Sequence, residues 1–194
     1  DQVLKPIQDP NEMDLTLEEA SARVKLDMRT ISRALVSYVR SILSGDSPYD
    51  CFVAGEHGAL SSEQQRGLQI FRGRGICVSC HVGPTFSDER FHNTGVAWGD
   101  GRFTDEGRFA VSSSPRDRGA FKTPTLREVA RTAPYMHDGS IAALEGVIDF
   151  YSEGGLANPF LDSEVRPLNF TPEEKRALAA FLLSLSGRVT EGWR

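Results

Sequence analysis

The sequence predicts an all-α domain interrupted by one long, loop-rich segment. Helix-start signatures recur along the chain, and apolar residues between them repeat at helical spacing. Strand signals are weak by comparison. From about Thr85 to Thr125 the chain is rich in Gly, Ser, Asp and Pro and follows neither period.

In order along the chain, Thr16-Leu17-Glu18-Glu19 reads as a capping box and predicts a short helix through about Leu26. From Met28 to Leu43 the apolar residues Ile31, Leu35, Tyr38, Val39 and Ile42 fall at helical intervals, and Gly45-Asp46-Ser47-Pro48 ends that helix and opens a loop. A second capping box, Ser61-Ser62-Glu63-Gln64, opens a helix carrying Leu68, Ile70 and Phe71 that stops at Gly73 or Gly75. Ser140 to Tyr151 predicts another, with Leu144, Val147, Ile148 and Tyr151 on one face. In Thr171-Pro172-Glu173-Glu174 the proline takes the first helical position it favours, and the helix runs through Leu178, Phe181 and Leu182 to a Gly187 cap. A loop as long as 85–125 is uncommon in a compact domain unless something organises it, and a large flat cofactor would do so.

Composition bounds the function. A length of 194 residues suits one domain or a domain with extensions. The net charge of -5, without any Lys/Arg block, argues against a nucleic-acid partner. The longest apolar stretches, such as Ala177–Leu183, are too short to span a bilayer. Asp1–Leu17 is polar, is interrupted by Pro6 and Pro10, and does not read as a signal peptide. Three cysteines, Cys51, Cys77 and Cys80, do not make a disulfide framework. Cys51 stands alone and reads as a buried free thiol.

The chemistry lies in Cys77-Val78-Ser79-Cys80-His81, the attachment signature of c-type haem. Two thiols at this spacing add to the two vinyl groups on one porphyrin edge, and the next residue sets an imidazole under the iron. Cys77 and Cys80 are thus the expected thioether ligands and His81 Nε2 the proximal iron ligand. The Nδ1–H of His81 needs an acceptor to fix the tautomer, and the Pro84 carbonyl is the expected one. A zinc site would want a second pair of ligands, but His57, His92 and His137 are scattered. A dithiol redox pair would want a βαβ context that the sequence lacks.

Around that motif, Gly67-Leu68-Gln69-Ile70-Phe71, Phe91-His92-Asn93-Thr94-Gly95-Val96, Phe121-Lys122-Thr123-Pro124-Thr125-Leu126-Arg127 and Ala133-Pro134-Tyr135-Met136-His137-Asp138-Gly139 resemble the C-terminal half of bacterial di-haem cytochrome c peroxidases, including their MauG-like members. Pro6-Ile7-Gln8-Asp9-Pro10-Asn11-Glu12-Met13 resembles the stretch where the first domain of that family hands over to the second. The resemblance implies a cytochrome c-like haem domain over 28–194, preceded by an inter-domain segment over 1–27. It departs from the family at two places. The family carries two attachment motifs and this chain one, and near Asp27–Met28 the family has additional residues.

The resemblance also implies a distal ligand. Family members place a methionine, or in MauG-like members a tyrosine, fourteen residues beyond the histidine of the Pro-Tyr-x-His run, which here is Tyr151. Met136 is the alternative, since methionine is the commoner partner in small cytochromes c. A thioether would raise the reduction potential, whereas a phenolate would stabilise the oxidised iron. By the same resemblance a calcium ion would take the backbone carbonyls of Thr132 and Pro134. Lys122, Arg127 and Arg108 are expected near the propionates, and His92 and His137 near a propionate or the path to a partner haem. Trp98 and Trp193 read as packing residues or relays. The function expected is the electron-transfer half of a periplasmic di-haem peroxidase or MauG-like oxidase. Its partners would be a peroxidatic haem domain, in a missing N-terminal half or a second chain, and a small redox donor or protein substrate. A stand-alone mono-haem carrier is the rival reading, and a haem-based sensor a third.

Overall fold

The structure is a computed structural model and describes residues 27–190. The helix expected after Thr16 and the relay candidate Trp193 lie outside the described residues. The chain divides into two compact units, one ending at Leu43 and taking in Thr190, the other running from Ser44 to Val189.

In the first unit, helix α1 (Met28–Ser41) begins where the Asp27 side chain accepts the Thr30 amide, and none of its residues is buried. Its Ile31, Leu35, Tyr38 and Val39, and the C-cap Ile42, all fall among the exposed large apolar side chains.

The second unit opens with a helix where the sequence predicts a loop. Helix α2 (Pro48–Val53) starts on a complete capping box in which Ser47 and Asp50 exchange hydrogen bonds. Pro48 therefore starts a helix rather than ending one, because the first helical position has no amide bond to lose. Helix α3 (Ser62–Arg72) and helix α6 (Pro172–Leu183) start on the expected boxes, Ser61/Gln64 and Thr171/Glu174. Helix α5 (Leu144–Glu153) ends on Gly154 in the left-handed region. Helix α6 stops at Leu183, short of the expected Gly187, as the Ser184 hydroxyl turns back onto the Phe181 carbonyl at 2.6 Å.

Helices α3 and α6 cross closely enough that a Cβ on Gly67 would sit 1.9 Å from the Ala177 carbonyl oxygen. Only glycine permits that approach. Around the crossing lie Leu68, Phe71, Leu178, Phe181, Leu182 and Leu185, with Leu144 and Ile148 of α5 in the same core. Phe181 and Leu185 are fully buried, and each contributes about 2–3 kcal/mol of apolar transfer.

The fold is helical and loop-rich but not strictly all-α. About 40% of it is helix, and the expected loop between 85 and 125 contains two small antiparallel ribbons. Strand β1 (Phe91–His92) pairs with β4 (Phe121–Lys122), and β2 (Trp98–Gly99) with β3 (Arg102–Phe103). A one-turn helix, α4 (Phe109–Ser112), lies between them in sequence. Two-residue strands are too short to write an alternating pattern, so the sequence signal for them is absent.

Candidate haem site

The attachment motif follows the C-terminal end of α3. Ile76 adopts a left-handed conformation (φ +48°) and turns the chain into a single 3-10 turn over Cys77–Ser79. The amides of Cys80 and His81 both bond back to the Cys77 carbonyl, at 3.3 and 2.9 Å. This tight turn gathers Cys77, Cys80 and His81 into one short stretch, each half-buried.

Both thiols are held protonated. Burial pushes Cys77 up to about 12. Burial also raises Cys80, and the carboxylates of Asp88, Asp162 and Glu164 add to it. His81 is held neutral by burial, which lowers its pKa. Its Nδ1 lies 2.8 Å from the Phe86 carbonyl. A carbonyl only accepts, so Nδ1 carries the proton and Nε2 presents its lone pair.

The acceptor is Phe86, not the expected Pro84. Phe86 stands in the left-handed region (φ +53°), and its amide bonds to Gly83. The Pro84 carbonyl instead accepts from Arg127 Nε at 2.8 Å. Behind His81 the Phe71, Phe86 and Phe181 rings pack edge-on or tilted, with Phe71 centred 6.5 Å from the imidazole.

The expected distal ligand Tyr151 lies on α5. Burial, followed by the proximity of Cys80 and Cys77, pushes its phenol up to about 12, while the Thr94 side chain pulls the other way. Two thiols, a neutral imidazole with a free Nε2 and the Tyr151 phenol make a donor set whose chemistry fits haem c. Met136 occupies a left-handed position (φ +70°) in the turn between the paired residues Tyr135 and Ile141.

The remaining expected residues are more dispersed. Arg127 is engaged by Pro84, Ser47 and both oxygens of Asp50, which makes it a structural tie rather than a free propionate donor. Lys122 pairs with Glu89 at 2.5 Å on an exposed face. Arg108 bonds Asp117 and lies over the Phe91 ring. His137 stacks on Phe121 with ring centroids 3.6 Å apart, and Trp98 packs on Phe103. Thr132 and Pro134 are exposed on either side of Ala133. His92 bridges Asp88 and Asp162, and no motif in the sequence points to either carboxylate. Those partners lie 4 and 70 residues away, outside any motif spacing.

Cys80, Asp88 and His92 also bring ligand atoms within 4.8 Å of one another. Both ring nitrogens of His92 are occupied by carboxylates, so the ring offers a metal no lone pair, and a small-ion site is not favoured.

No protein-family model matches the chain. Individual relatives do. It is 40% identical over 176 residues to the cytochrome-c peroxidase IdrP2 of Denitromonas iodatirespirans, covering 77% of this chain and 47% of the relative. It is 33% identical over 202 residues to the methylamine utilization protein MauG of Methylorubrum extorquens, covering 95% and 57%. The chain belongs to the di-haem cytochrome c peroxidase/MauG family. It spans about half the length of the curated relatives it matches. Among solved structures, a MauG-like protein associated with microbial copper homeostasis is 36% identical with a TM-score of 0.69, covering 73% of this chain and 48% of that one. The diheme peroxidase BthA of Burkholderia thailandensis shares the fold at 23% identity and a TM-score of 0.61, covering 73% of this chain and 46% of that one. Membership in the di-haem peroxidase/MauG family supports a haem-related role, and among the described residues no helix is long and apolar enough to cross a membrane.

Proposed function

We propose that this chain is the electron-transfer half of a di-haem cytochrome c peroxidase or MauG-like oxidase, holding one covalent haem c between His81 and Tyr151. The observation that carries the reading is the single turn that gathers Cys77, Cys80 and His81, with His81 Nδ1 held by the Phe86 carbonyl at 2.8 Å and Nε2 left free. When bound, the haem supplies a one-electron iron couple.

The chain's own residues do the rest. Cys77 and Cys80 would hold the haem covalently through thioethers. The Phe86 carbonyl fixes the His81 tautomer and ring orientation and raises the basicity of Nε2. The phenylalanine cluster keeps water from the proximal side. Tyr151 offers a hard anionic donor that favours the oxidised iron. His81 and Tyr151 would hold the haem iron, and the group so held would supply electron transfer towards a peroxide-reactive haem in a separate domain or chain. The Thr132 and Pro134 carbonyls are proposed as neutral ligands to a calcium ion near that boundary. Covalent haem assembly would support a periplasmic location, where a small redox protein or a protein substrate would exchange electrons with it.

The test is a native mass with a haem count per polypeptide, followed by peroxide turnover. The expected result is one haem that survives denaturation and acid–organic extraction, with slow turnover until a second haem domain is supplied. Haem that extracts freely, or rapid turnover by the single-haem chain, contradicts the reading. Fast exchange of electrons with no response to any second haem domain would instead make the chain a mono-haem carrier.

A further inference from the structure

One polar cluster beside the haem motif is not used by that reading. His92, on β1, sets Nδ1 2.6 Å from Asp162 Oδ2 and Nε2 2.9 Å from Asp88 Oδ2. Carboxylates accept, so both ring nitrogens donate, and a histidine that donates twice is an imidazolium. Its side chain is 18% exposed, and those of its partners 11% and 23%, so water screens the pairs only in part.

The two partners belong to the two segments that bound the site. Asp88 lies seven residues beyond His81, and its amide donates to the Cys80 carbonyl at 2.8 Å. Asp162 lies beyond the Tyr151 helix, and its amide donates to the Asn93 carbonyl at 2.9 Å. Between Tyr151 and Asp162 the chain is threaded tightly against Thr94. A Cβ on Gly155 would meet the Thr94 carbonyl oxygen at 2.2 Å, and one on Gly95 would meet that of Leu156 at the same distance. Asn93 is buried and binds Arg118, Asn158 and the Gly95 amide. The segment after Tyr151 therefore has a fixed path, and His92 is the charged link between it and the segment after the attachment motif.

We infer that His92 is a positioning residue for the haem site: it braces the attachment loop, through Asp88, against the loop that follows the Tyr151 helix, through Asp162. Its task is to hold the Tyr151 hydroxyl at a fixed distance from the His81 side. The inference rests on the proposed Tyr151 ligation and adds to it the group that sets the ligand's reach.

The experiment uses the haem-loaded chain and the variants His92→Leu and Asp162→Asn, the second removing the charge from the Asp162 arm alone. Covalent haem content is read by mass, ligation by the ferric spectrum and reduction potential, and the brace by hydrogen exchange over residues 154–166. We expect full haem attachment in both variants, a ferric spectrum split into two ligation states, a shifted potential, and exchange faster by about tenfold, the effect of losing one charge-assisted hydrogen bond. If exchange rises while spectrum and potential stay put, or if none of the three moves, the positioning role is overturned. Should His92→Leu fail to fold, Asp162→Asn decides by the same readings. Tyr151→Phe separates the two proposals. If it leaves the parent spectrum unchanged, the ligand reading fails and the brace falls with it. If it removes the phenolate feature while both brace variants leave that feature intact, only the brace is overturned.

Discussion

Arg127 holds Asp50 with both arms of its guanidinium, Nη1 to Oδ2 and Nη2 to Oδ1, each at 2.8 Å. Its Nε reaches the Pro84 carbonyl at 2.8 Å, so one side chain ties α2 to the loop that follows the attachment motif. Arg127→Leu leaves the Asp50 carboxylate without its cation and frees that loop. The expected loss is about 2–3 kcal/mol of unfolding free energy, measured by denaturant titration. Arg127→Lys should recover little, because an ammonium lacks the planar fork. Full recovery by lysine would mean that charge alone matters there.

The same pair sets an acid limb. Burial pushes the Asp50 carboxyl up, but hydrogen bonds from Arg127 and Ser47 and the guanidinium charge outweigh it and leave the carboxyl below its usual range. Asp88 is also held low, at about 2, as bonds from His92 and Arg90 outweigh its burial. A carboxylate depressed in the folded state stabilises above its unfolded pKa, and that stability drains as pH falls through the folded value. Stability should therefore decline from about pH 4 towards pH 2. Asp50→Asn should flatten part of that decline, and an unchanged acid limb in this variant would refute the assignment.

At the α3–α6 crossing, Gly67→Ala is expected to destabilise. Alanine is the better helix former by about 1 kcal/mol. Here its methyl would stand 1.9 Å from the Ala177 carbonyl oxygen, and the flanking Phe181 Cβ lies at 2.7 Å. The helices must part, at a cost of about 1–3 kcal/mol from overpacking. A lower denaturation midpoint is expected, and a raised one would show that the crossing is looser than it stands.

What was legible in the sequence was local. The boxes at Ser61/Gln64 and Thr171/Glu174 are written within four residues, and both helices start where they predict. Ser47-Pro48-Tyr49-Asp50 is equally local, yet Pro48 following Gly45 and Asp46 masks it as a loop signal. The motif itself is one short turn, so spacing describes it fully. What spacing does not carry is a backbone sign. Phe86 rather than Pro84 meets His81 because Phe86 turns left-handed, and nothing in Gly83-Pro84-Thr85-Phe86 announces that. Long-range polar pairs are equally hidden. Arg127 suggested an anion, but its partner Asp50 lies 77 residues away, and His92 meets Asp162 across 70.

The distal ligand is where the alternatives differ most. Tyr151 sits on α5, whose Leu144 and Ile148 are buried in the core, so the ring is carried on a fixed element. Burial and the neighbouring thiols keep its phenol neutral up to about 12 in the protein alone. Ligation to a ferric ion reverses that preference, because the metal's charge favours the anion. The haem-loaded chain should thus show a phenolate-to-iron charge-transfer feature and no thioether band. Tyr151→Phe should abolish that feature, open the site or admit another ligand, and raise the reduction potential as the anionic donor is lost. Met136→Leu should change little at the iron, since Met136 lies in the turn between Tyr135 and Ile141 rather than on α5. Low-spin absorption that survives Tyr151→Phe and vanishes with Met136→Leu would reverse the assignment and make this a His/Met electron carrier.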